Sequence, residues 1–242
     1  DGSTLALIKI VAVAKPEIVF HLAALVITQH KPEDVVPLLQ SNLIFSTQLA
    51  EAMTVNGVSR IINTGTFWQH YENREYSPTC LYAATKQAFE SILHYYVEAK
   101  FLKIITLILF DSYGPSDPRP KLFSLLQKAS QSEQVLAMSP GEQKIDLVHI
   151  YDIVEAFIVA AKQLLYGEIE GHCRYKVTSG NLIKLKDIVD IYEMVVNTKL
   201  PIKWGGRPYR DREVMFPRLQ FDSLPGWQPK ISLVDGIKTL FT

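Results

Sequence analysis

The segment CLYAATKQAFESI contains a tyrosine and a lysine, Tyr82 and Lys86, that are four residues apart. This spacing places the two side chains on the same face of a helix, where an ammonium group can stabilise the anion of a phenol. Because a phenol ordinarily titrates near pH ~10, such a neighbour would let Tyr82 transfer a proton at neutral pH. The pair therefore predicts a catalytic acid with a lysine that lowers its pKa.

The spacing alone is weak evidence, because Tyr96 and Lys100 repeat it later in the same predicted helix. In an open parallel sheet, ligands bind outside the carboxyl ends of the strands, and Tyr82 lies in the first helical turn, near that edge. Thr64 lies where the preceding strand ends, so its hydroxyl and the Tyr82 phenol could together hold one carbonyl or alcohol oxygen. The alternative is a half-buried tyrosine with a surface lysine one turn on, and the residues alone leave both interpretations open.

The elements that must position these residues follow an α/β pattern. Apolar runs rich in β-branched residues alternate with longer segments of helical periodicity, which is typical of a parallel sheet covered by helices on both faces. The predicted strands are 17–25, 58–66, 103–110, 145–150 and 175–178. The predicted helices are 5–15, 42–57, 81–100, 122–130, 152–165 and 185–196, with a short one near the C-terminal end. The sequence therefore predicts a doubly wound parallel sheet, and a Pro-rich loop after Phe110 precedes a smaller C-terminal lobe.

Composition narrows the classes of partner. Twenty-five basic and twenty-five acidic residues balance, and without a run of like charge there is no electrostatic case for nucleic acid or an anionic membrane. No apolar run approaches the ~20 residues that span a bilayer. Cys80 and Cys173 belong to no CxxC motif, and His21, His70 and His149 match no metal spacing. We expect a small-molecule partner, no metal, and a reducing, cytoplasmic location.

Several short motifs occur in an order that resembles a known family. VFHLAA, a strand ending in threonine, YxxxK, the FDSYGP turn, GEQKIDLVHIYDIVEAF and GWQPKISLVDGI together resemble the extended short-chain dehydrogenase/reductases that act on nucleotide sugars. WGGRPYRDREVMFP and NTGTFWQHY are similar to segments of the CDP-abequose synthases, bacterial enzymes that reduce a CDP-4-keto-3,6-dideoxyhexose at C4 for the O-antigen of lipopolysaccharide. The resemblance implies a Rossmann-like fold, NADP or NAD as cofactor, a CDP-sugar or other nucleotide-sugar substrate, and a homodimer.

The same resemblance implies roles for individual residues. Tyr82 is then the acid/base, Lys86 lowers its pKa and holds the nicotinamide ribose, and Thr64 binds the sugar oxygen. Cofactor contacts, besides those of Tyr82 and Lys86, are implied for Asp1, Ala23, Ala24 and Asn42. Without the resemblance, Asn42 is equally well interpreted as an ordinary polar residue near a helix start.

The substrate side is predicted from later segments. Arg207 and Arg210, in GGRPYRDRE, are the best candidates for binding a pyrophosphate, because guanidinium groups match phosphate oxygens bidentately. A solvated charged loop is the alternative for both. Asp111 stands where many relatives carry an asparagine, and a carboxylate beside a diphosphate must pair with a cation or a sugar hydroxyl. Arg119 and Thr66 complete the predicted substrate set.

One departure from the family pattern narrows the reaction. Relatives that dehydrate sugars place an Asp-Glu pair directly after the catalytic threonine, because eliminating water requires an extra acid and base. Gly65 and Thr66 stand at those positions here. A 4,6-dehydratase is therefore disfavoured, which leaves a 4-reductase or a 4-epimerase with retained NAD.

The resemblance divides the chain into two functional parts. It assigns 1–112 and 145–180 to the Rossmann-like, cofactor-binding part, and 113–144 and 181–242 to a nucleotide-sugar lobe. Relatives begin with a strand and a GxxGxxG turn, which has no counterpart here, so the expected fold lacks the first βαβ part. A truncated, non-catalytic remnant that binds nucleotide sugars is the remaining alternative of another class.

Overall fold

The computed structural model describes residues 2–132, 134–167, 169–218 and 220–241. The chain consists of two compact units. The first unit comprises Asp1–Leu109, Ala156–Val177 and Leu219–Trp227, and the second comprises Phe110–Glu155, Thr178–Arg218 and Gln228–Thr242. The assignment of one part of the chain to cofactor and another to substrate stays a prediction.

Helices and strands alternate along the described residues. The helices are α1 (Thr4–Ala14), α2 (Val35–Leu39), α3 (Phe45–Val55), α4 (Leu81–Lys100), α5 (Leu122–Ser130), α6 (Ile150–Tyr166), α7 (Leu185–Val196) and α8 (Leu233–Lys238). The strands are β1 (Val19–His21), β2 (Arg60–Thr66), β3 (Lys103–Leu109), β4 (Asp111–Tyr113), β5 (Leu136–Ala137), β6 (Lys144–His149), β7 (His172–Val177), β8 (Leu182–Lys184) and β9 (Ile202–Lys203).

The first unit is organised around a four-stranded sheet with the order β1-β2-β3-β7, and every pairing in it is parallel. Its strands read as nearly continuous apolar runs, as strands buried on both faces must. In β3, for example, Ile104, Ile105 and Leu107 are all completely buried. The carboxyl ends of the four strands therefore form one edge, which is the place where ligands bind in open parallel sheets.

Helices cover both faces of this sheet. On one face, Ile61 of β2 packs in an apolar cluster with Met53 of α3 and Phe89 of α4. The neighbouring residue Arg60 donates from Nε to the main-chain oxygen of Leu164 in α6 at 2.9 Å. Because successive side chains of a strand point to opposite faces, α6 covers the other face. The predicted doubly wound α/β fold is confirmed.

Most predicted elements agree with the structure, but β7 begins at His172, three residues before the predicted strand 175–178, and two elements near the start of the chain differ more. Strand 17–25 is reduced to the three residues of β1, because the main chain of Leu25 is bound by the Asn42 side chain instead of a neighbouring strand. The helix expected from residue 42 begins at Val35, since α2 continues through a π-helical turn, Gln40–Ile44, into α3. A π-helical turn widens the helix locally and is frequent at functional sites.

The second unit has its own small sheets and core. Strands β4, β6 and β8 form one sheet, and β5 pairs with β9. The apolar faces of α5, α7 and α8 meet in a cluster that contains Leu126, Ile188, Tyr192 and Ile237. Among the described residues, none of the helices has both the length and the hydropathy that crossing a membrane requires.

Candidate active site

The Tyr82–Lys86 pair lies in the first two turns of α4, at the carboxyl edge of the sheet. The helix begins at Leu81 after an extended Cys80, so Tyr82 is in its first turn. The Tyr82 ring is 7% exposed and meets Trp68 edge-on, with ring centroids 6.3 Å apart. Lys86 is only 2% exposed. The alternative of a surface lysine is therefore wrong.

Lys86 is a buried cation with free donors. Burial lowers its pKa to about 8, while the carboxylate of Glu90, one turn further along α4, raises it. The ammonium is thus still mainly protonated at neutral pH. Among the described residues its Nζ has no hydrogen-bond acceptor. Nζ is not among the fully buried atoms that lack a partner, so its donors are open to a ligand that brings oxygen acceptors.

Glu90 connects helix α4 to two strands. It is 3% exposed, its Oε1 accepts a hydrogen bond from Gln69 Nε2 at 2.9 Å, and its Oε2 pairs with Arg174 Nε at 3.0 Å. Gln69 in turn accepts from the main-chain N–H of Thr66 at 2.9 Å. This carboxylate therefore holds α4 against the end of β2 and against β7. Glu90 was not among the residues predicted from the sequence, although its position four residues after Lys86 places it on the same helix face.

Asn42 fixes the segment after β1 and the start of α4. Its carboxamide accepts from Leu25 N–H at 2.8 Å and donates to Leu25 O at 2.9 Å and to Thr85 Oγ1 at 3.1 Å. The Thr85 hydroxyl donates to the main-chain oxygen of Tyr82 at 2.7 Å. Asn42 therefore lies inside a helical turn and not near a helix start, and its contacts orient the backbone that carries Tyr82.

A row of buried polar side chains crosses the sheet below this edge. His21 Nδ1 contacts Asn63 Oδ1 at 3.1 Å, Asn63 Nδ2 donates to Thr106 Oγ1 at 3.2 Å, and Thr106 contacts His172 Nε2 at 2.7 Å. Burial lowers the pKa of His21 to about 4, and the Lys86 charge acts in the same direction. His21 is therefore neutral at physiological pH, which avoids a second cation next to Lys86.

The two threonines at the end of β2 have different partners. The half-buried Thr64 donates from its hydroxyl to the main-chain oxygen of His21 at 2.9 Å, which leaves its lone pairs free to accept. Thr66 is buried, and its hydroxyl accepts from Trp68 N–H at 3.3 Å. That Thr64 and Tyr82 hold one substrate oxygen together stays a prediction.

Gly65 separates these threonines in a space that excludes an acidic side chain. A Cβ added there would stand 3.0 Å from Thr106 Cγ2, 3.3 Å from Gln69 Oε1 and 3.4 Å from Glu90 Oε1. An aspartate at position 65 would therefore be crowded and would face the buried carboxylate of Glu90. Like charges at such short range are strongly unfavourable without a cation between them.

In the second unit, the structure brings Asp111 and Arg210 into one electrostatic environment. Burial raises the pKa of Asp111 to about 6, and the charges of Lys121 and Arg210 oppose that shift. Arg210 also pairs with Glu213, Nε to Oε2, at 3.3 Å. The carboxylates of Asp146 and Glu213 act in the same direction as burial, so Lys121 and Arg210 offset the shift only in part.

The remaining predicted residues are more dispersed. Arg119 is held by two 2.7 Å bonds to the carboxylate of Asp117, and Arg207 is exposed, with its main-chain N–H donating to Met138 O at 3.2 Å. Ala23 is exposed and Ala24 half-buried in the segment after β1. Asp1 lies outside the described residues.

These residues fit a nicotinamide nucleotide. The segment after β1 carries only methyl side chains at Ala23 and Ala24, which leaves backbone accessible at the sheet edge. The Lys86 ammonium, one turn from Tyr82, donates to no acceptor among the described residues. The hydroxyl oxygens of a ribose could accept its hydrogen bonds. The neutral polar row behind Lys86 adds no second positive charge against a cationic nicotinamide.

Comparison with known proteins agrees with this fit. The model of the "NAD dependent epimerase/dehydratase family" matches residues 2–172. A CDP-abequose synthase from Yersinia pseudotuberculosis is 31% identical over 86% of this chain and 72% of its own length. A UDP-glucose 4-epimerase from Mycolicibacterium smegmatis is 26% identical over 92% of this chain and 74% of its own length.

A solved structure supports the fold. The UDP-glucose 4-epimerase of Thermus thermophilus in complex with NAD has a TM-score of 0.82 and 21% identity, with 99% of this chain and 81% of that one covered. The predicted family, the NAD(P)-dependent enzyme class and the cofactor class, NADP or NAD, are confirmed. From the match along residues 2–172, the chain belongs to the NAD dependent epimerase/dehydratase family.

Proposed function

We propose that the chain is a nucleotide-sugar 4-reductase that converts the C4 ketone of a CDP-4-keto-3,6-dideoxyhexose to an alcohol, for O-antigen sugar biosynthesis. The observation that carries the chemistry is the buried ammonium of Lys86, one helical turn from Tyr82 and without an acceptor of its own among the described residues. The observation that selects the substrate is the 31% identity to a CDP-abequose synthase.

Proton transfer is assigned to Tyr82. The nicotinamide cofactor, when bound, supplies the hydride that adds to C4. The π electrons of the C4–O double bond would move to the oxygen, which takes the phenolic proton of Tyr82, so that the ketone becomes an alcohol. Lys86 stabilises the phenolate that this leaves, because an ammonium within the same low-dielectric site interacts strongly with it. With a pKa of about 8, the ammonium is present at neutral pH.

Thr64 is assigned to orienting the sugar. Its hydroxyl proton is directed to His21 O, so its free lone pairs suit a hydroxyl on the substrate or the product. Donating to the keto oxygen would require Thr64 to give up the His21 bond. We therefore assign the proton donor role to Tyr82 and an acceptor role to Thr64.

The surroundings of Gly65 support a reductase or epimerase over a dehydratase. Dehydration needs an acid and a base after the threonine, and the gap beside Gly65 is filled by Gln69, Thr106 and the Glu90 carboxylate. Substituting the acidic pair there would bury a second carboxylate against Glu90. The site therefore favours hydride exchange at C4 without elimination.

The diphosphate of the substrate is assigned to Arg207 and Arg210, with Arg119, Asp111 and Thr66 as further substrate ligands. Guanidinium groups bind phosphate oxygens through paired N–H donors. With a pKa raised to about 6, Asp111 carries its charge near Lys121 and Arg210, and we assign its carboxylate to a sugar hydroxyl. Cofactor contacts by Asp1, Ala23, Ala24 and Asn42 belong to the same proposal, as do a homodimer and a cytoplasmic location.

A 4-epimerase with retained NAD is the second candidate. A relative that is 26% identical over 92% of this chain is a UDP-glucose 4-epimerase. The two reactions share the proton transfer by Tyr82 and differ in whether the cofactor leaves after each turnover. Cofactor that copurifies with the protein favours the epimerase, and stoichiometric consumption of added NADPH favours the reductase.

The test compares Tyr82→Phe with Tyr96→Phe, which removes a hydroxyl from the same helix. With a CDP-4-keto-3,6-dideoxyhexose and NADPH, we expect Tyr82→Phe to lower kcat by about 10²–10⁴-fold, since a general acid contributes that much. Calorimetric binding of CDP should be unchanged, and Tyr96→Phe should turn over normally. Normal turnover by Tyr82→Phe would refute the assignment, and binding of CDP without NADPH in the native protein would indicate a non-catalytic remnant.

A further inference from the structure

A pocket lies at the opposite end of α4 from Tyr82. Its volume is about 390 Å³, and it is lined by His94, Val97, His172 and Arg174. All four belong to the first unit, two on α4 and two on β7. Small-molecule pockets typically measure ~300–1,000 Å³, so this one can hold a molecule of the size of a hexose phosphate. None of its lining residues is in the proposed catalytic or substrate set.

Arg174 provides the fixed positive charge. It pairs with Glu90 through Nε at 3.0 Å, and its two terminal NH₂ groups contact no acceptor among the described residues. The Arg174 side chain is 36% exposed, so it is partly withdrawn from water yet reachable from the pocket. Two parallel N–H donors on a partly desolvated guanidinium match the oxygens of a phosphate or carboxylate.

His172 presents a donor as well. Thr106 Oγ1 accepts from the Asn63 amide at 3.2 Å, so its one hydroxyl hydrogen is available for His172 Nε2, 2.7 Å away. A neutral imidazole that accepts at Nε2 carries its proton on Nδ1. Among the described residues, no partner occupies this Nδ1. The buried row therefore fixes the tautomer that offers an N–H group.

His94 completes the set from the α4 side. It is exposed, and its Nε2 contacts Glu98 Oε1 at 3.3 Å. Glu98 is itself exposed and can turn away, whereas Glu90 is held in place behind Arg174. The charged and titratable groups that act on His172 are His94 from α4 and Arg174 from β7, and their own partners are Glu98 and Glu90.

We propose that this pocket is a binding site for a small metabolite that carries a phosphate group, held by Arg174, His172 and His94. Every polar group that lines it is a nitrogen donor or a base that becomes one on protonation, and none is a carboxylate. Burial and the neighbouring positive groups lower the pKa of His172 to about 4. His172 is therefore neutral at physiological pH and contributes an N–H donor, and the permanent positive charge of the site comes from Arg174.

The test is calorimetric titration of the whole chain with inorganic phosphate and, separately, with glucose 1-phosphate. The variants are Arg174→Gln, His94→Ala and, as a matched control, Arg210→Gln, which removes an arginine proposed to bind the substrate diphosphate. We expect Arg174→Gln to weaken binding at least about tenfold, as the loss of a charge-assisted pair predicts. His94→Ala should weaken phosphate binding less than Arg174→Gln does. Arg210→Gln should leave phosphate binding at the pocket of His94, His172 and Arg174 unchanged.

The imidazole NMR signals provide the second measurement. The His94 and His172 resonances should shift on addition of inorganic phosphate in the native chain, and binding of glucose 1-phosphate tighter than that of phosphate identifies the metabolite class. His94 is exposed, so His94→Ala tests the site even if Arg174→Gln fails to fold. The proposal is overturned if phosphate in the millimolar range moves neither histidine, or if phosphate binding disappears only in Arg210→Gln. Neither readout depends on the proposed catalytic activity.

Discussion

Helix α4 carries the same tyrosine–lysine spacing twice, and the two pairs have opposite surroundings. Tyr82 stands one turn from a lysine that is 2% exposed, and that lysine lacks an acceptor among the described residues. Tyr96 is followed by Lys100, which is exposed at the helix end, and the Tyr96 hydroxyl donates to Glu51 of α3 at 2.9 Å. Burial, reinforced by the Glu51 carboxylate, raises the pKa of Tyr96 to about 12.

The two pairs share the same spacing but differ in burial and in the charges around them, so spacing alone does not decide their chemistry. Four-residue spacing puts two side chains on one helix face in both pairs. Whether the phenol can release its proton depends on the sign of the charge beside it, which the fold supplies from other elements. An ammonium beside a phenol favours the phenolate, which is the role proposed for Lys86 toward Tyr82, whereas the Glu51 carboxylate holds the proton on Tyr96. We therefore expect only the Tyr82–Lys86 pair to carry out acid/base chemistry at neutral pH.

Exchanging each lysine for methionine gives the largest effect and tests this contrast most directly. Lys86→Met should lower kcat/KM for ketone reduction by about 10²–10⁴-fold, because the phenolate of Tyr82 loses its counter-charge. Lys100→Met should leave activity unchanged, since that lysine is exposed. Steady-state kinetics measure both.

The lysine variants should also differ in thermal stability. Removing a buried ammonium without an acceptor should leave the melting temperature of Lys86→Met equal to or above that of the native chain. Equal loss of activity in Lys86→Met and Lys100→Met would break the comparison, because spacing alone would then be the common cause.

The asparagines that precede and end α3 sharpen the comparison further. Asn42 lies next to the first pair through Thr85 and the backbone of Tyr82, whereas Asn56 donates to Ile8 O and Ala52 O at the far end of α3. Each substitution by alanine leaves main-chain groups unsatisfied and should cost about 1–3 kcal/mol of unfolding free energy.

Activity should separate these two asparagines. Asn42→Ala should lower kcat in addition, because the start of α4 loses its support, and Asn56→Ala should not. Urea unfolding and turnover are measured on the same samples. Similar losses of turnover in both variants would show that general destabilisation, and not the position of Tyr82, limits activity.

Much of the fold was predictable because it depends on local periodicity. Helices α4, α5 and α7 have the predicted bounds, since each buries one apolar face over several turns. The predicted bounds of strand β1 and of the helix after it were wrong for the same reason. Asn42, which lies in the π-helical turn, bonds to the main chain of Leu25, 17 residues away. This bond takes the place of a neighbouring strand. A contact over such a distance cannot be predicted from a local sequence pattern.

The site was only partly predictable. Tyr82 and Lys86 follow from spacing and strand-end position, but the burial of Lys86 depends on elements that converge from distant segments. Glu90 was visible as the next residue on the same helix face. Its partners Gln69 and Arg174 are separated from it by 21 and 84 residues and meet it only through the sheet order β2-β3-β7. Long-range charge pairing of this kind requires the fold.

The two glutamates of α4 offer a smaller test. Glu90→Gln keeps the shape of the side chain and removes the charge that raises the pKa of Lys86. The ammonium then loses its proton at lower pH, so the alkaline decline of activity, expected above about pH 8 in the native chain, should move to lower pH. Glu98→Gln, which alters an exposed glutamate on the same helix, should leave the profile unchanged.

Activity measured from pH 6 to pH 10 with saturating cofactor distinguishes these outcomes. A Glu90→Gln variant that is slower at every pH with the same profile would mean that Glu90 serves only to hold the structure together. A profile that moves in both variants would point to the total charge of α4 instead of the specific position of Glu90.

Removing the hydroxyl of the second tyrosine gives the smallest effect. Tyr96→Phe deletes the bond to Glu51 and should lower the unfolding free energy by about 0.5–1.5 kcal/mol at neutral pH, with unchanged turnover. The pKa of Tyr96 is about 12 in the folded chain, above its ordinary value of 10.0, so the unfolded chain releases this proton first as the pH rises. The stability that Tyr96 contributes is therefore complete below pH 10 and is lost between pH 10 and 12.

Urea unfolding of the native and Tyr96→Phe chains measures this contribution, and the difference between their unfolding free energies should narrow above pH 10. A gap that widens there would mean that the folded chain favours the phenolate of Tyr96, which would make the two pairs alike.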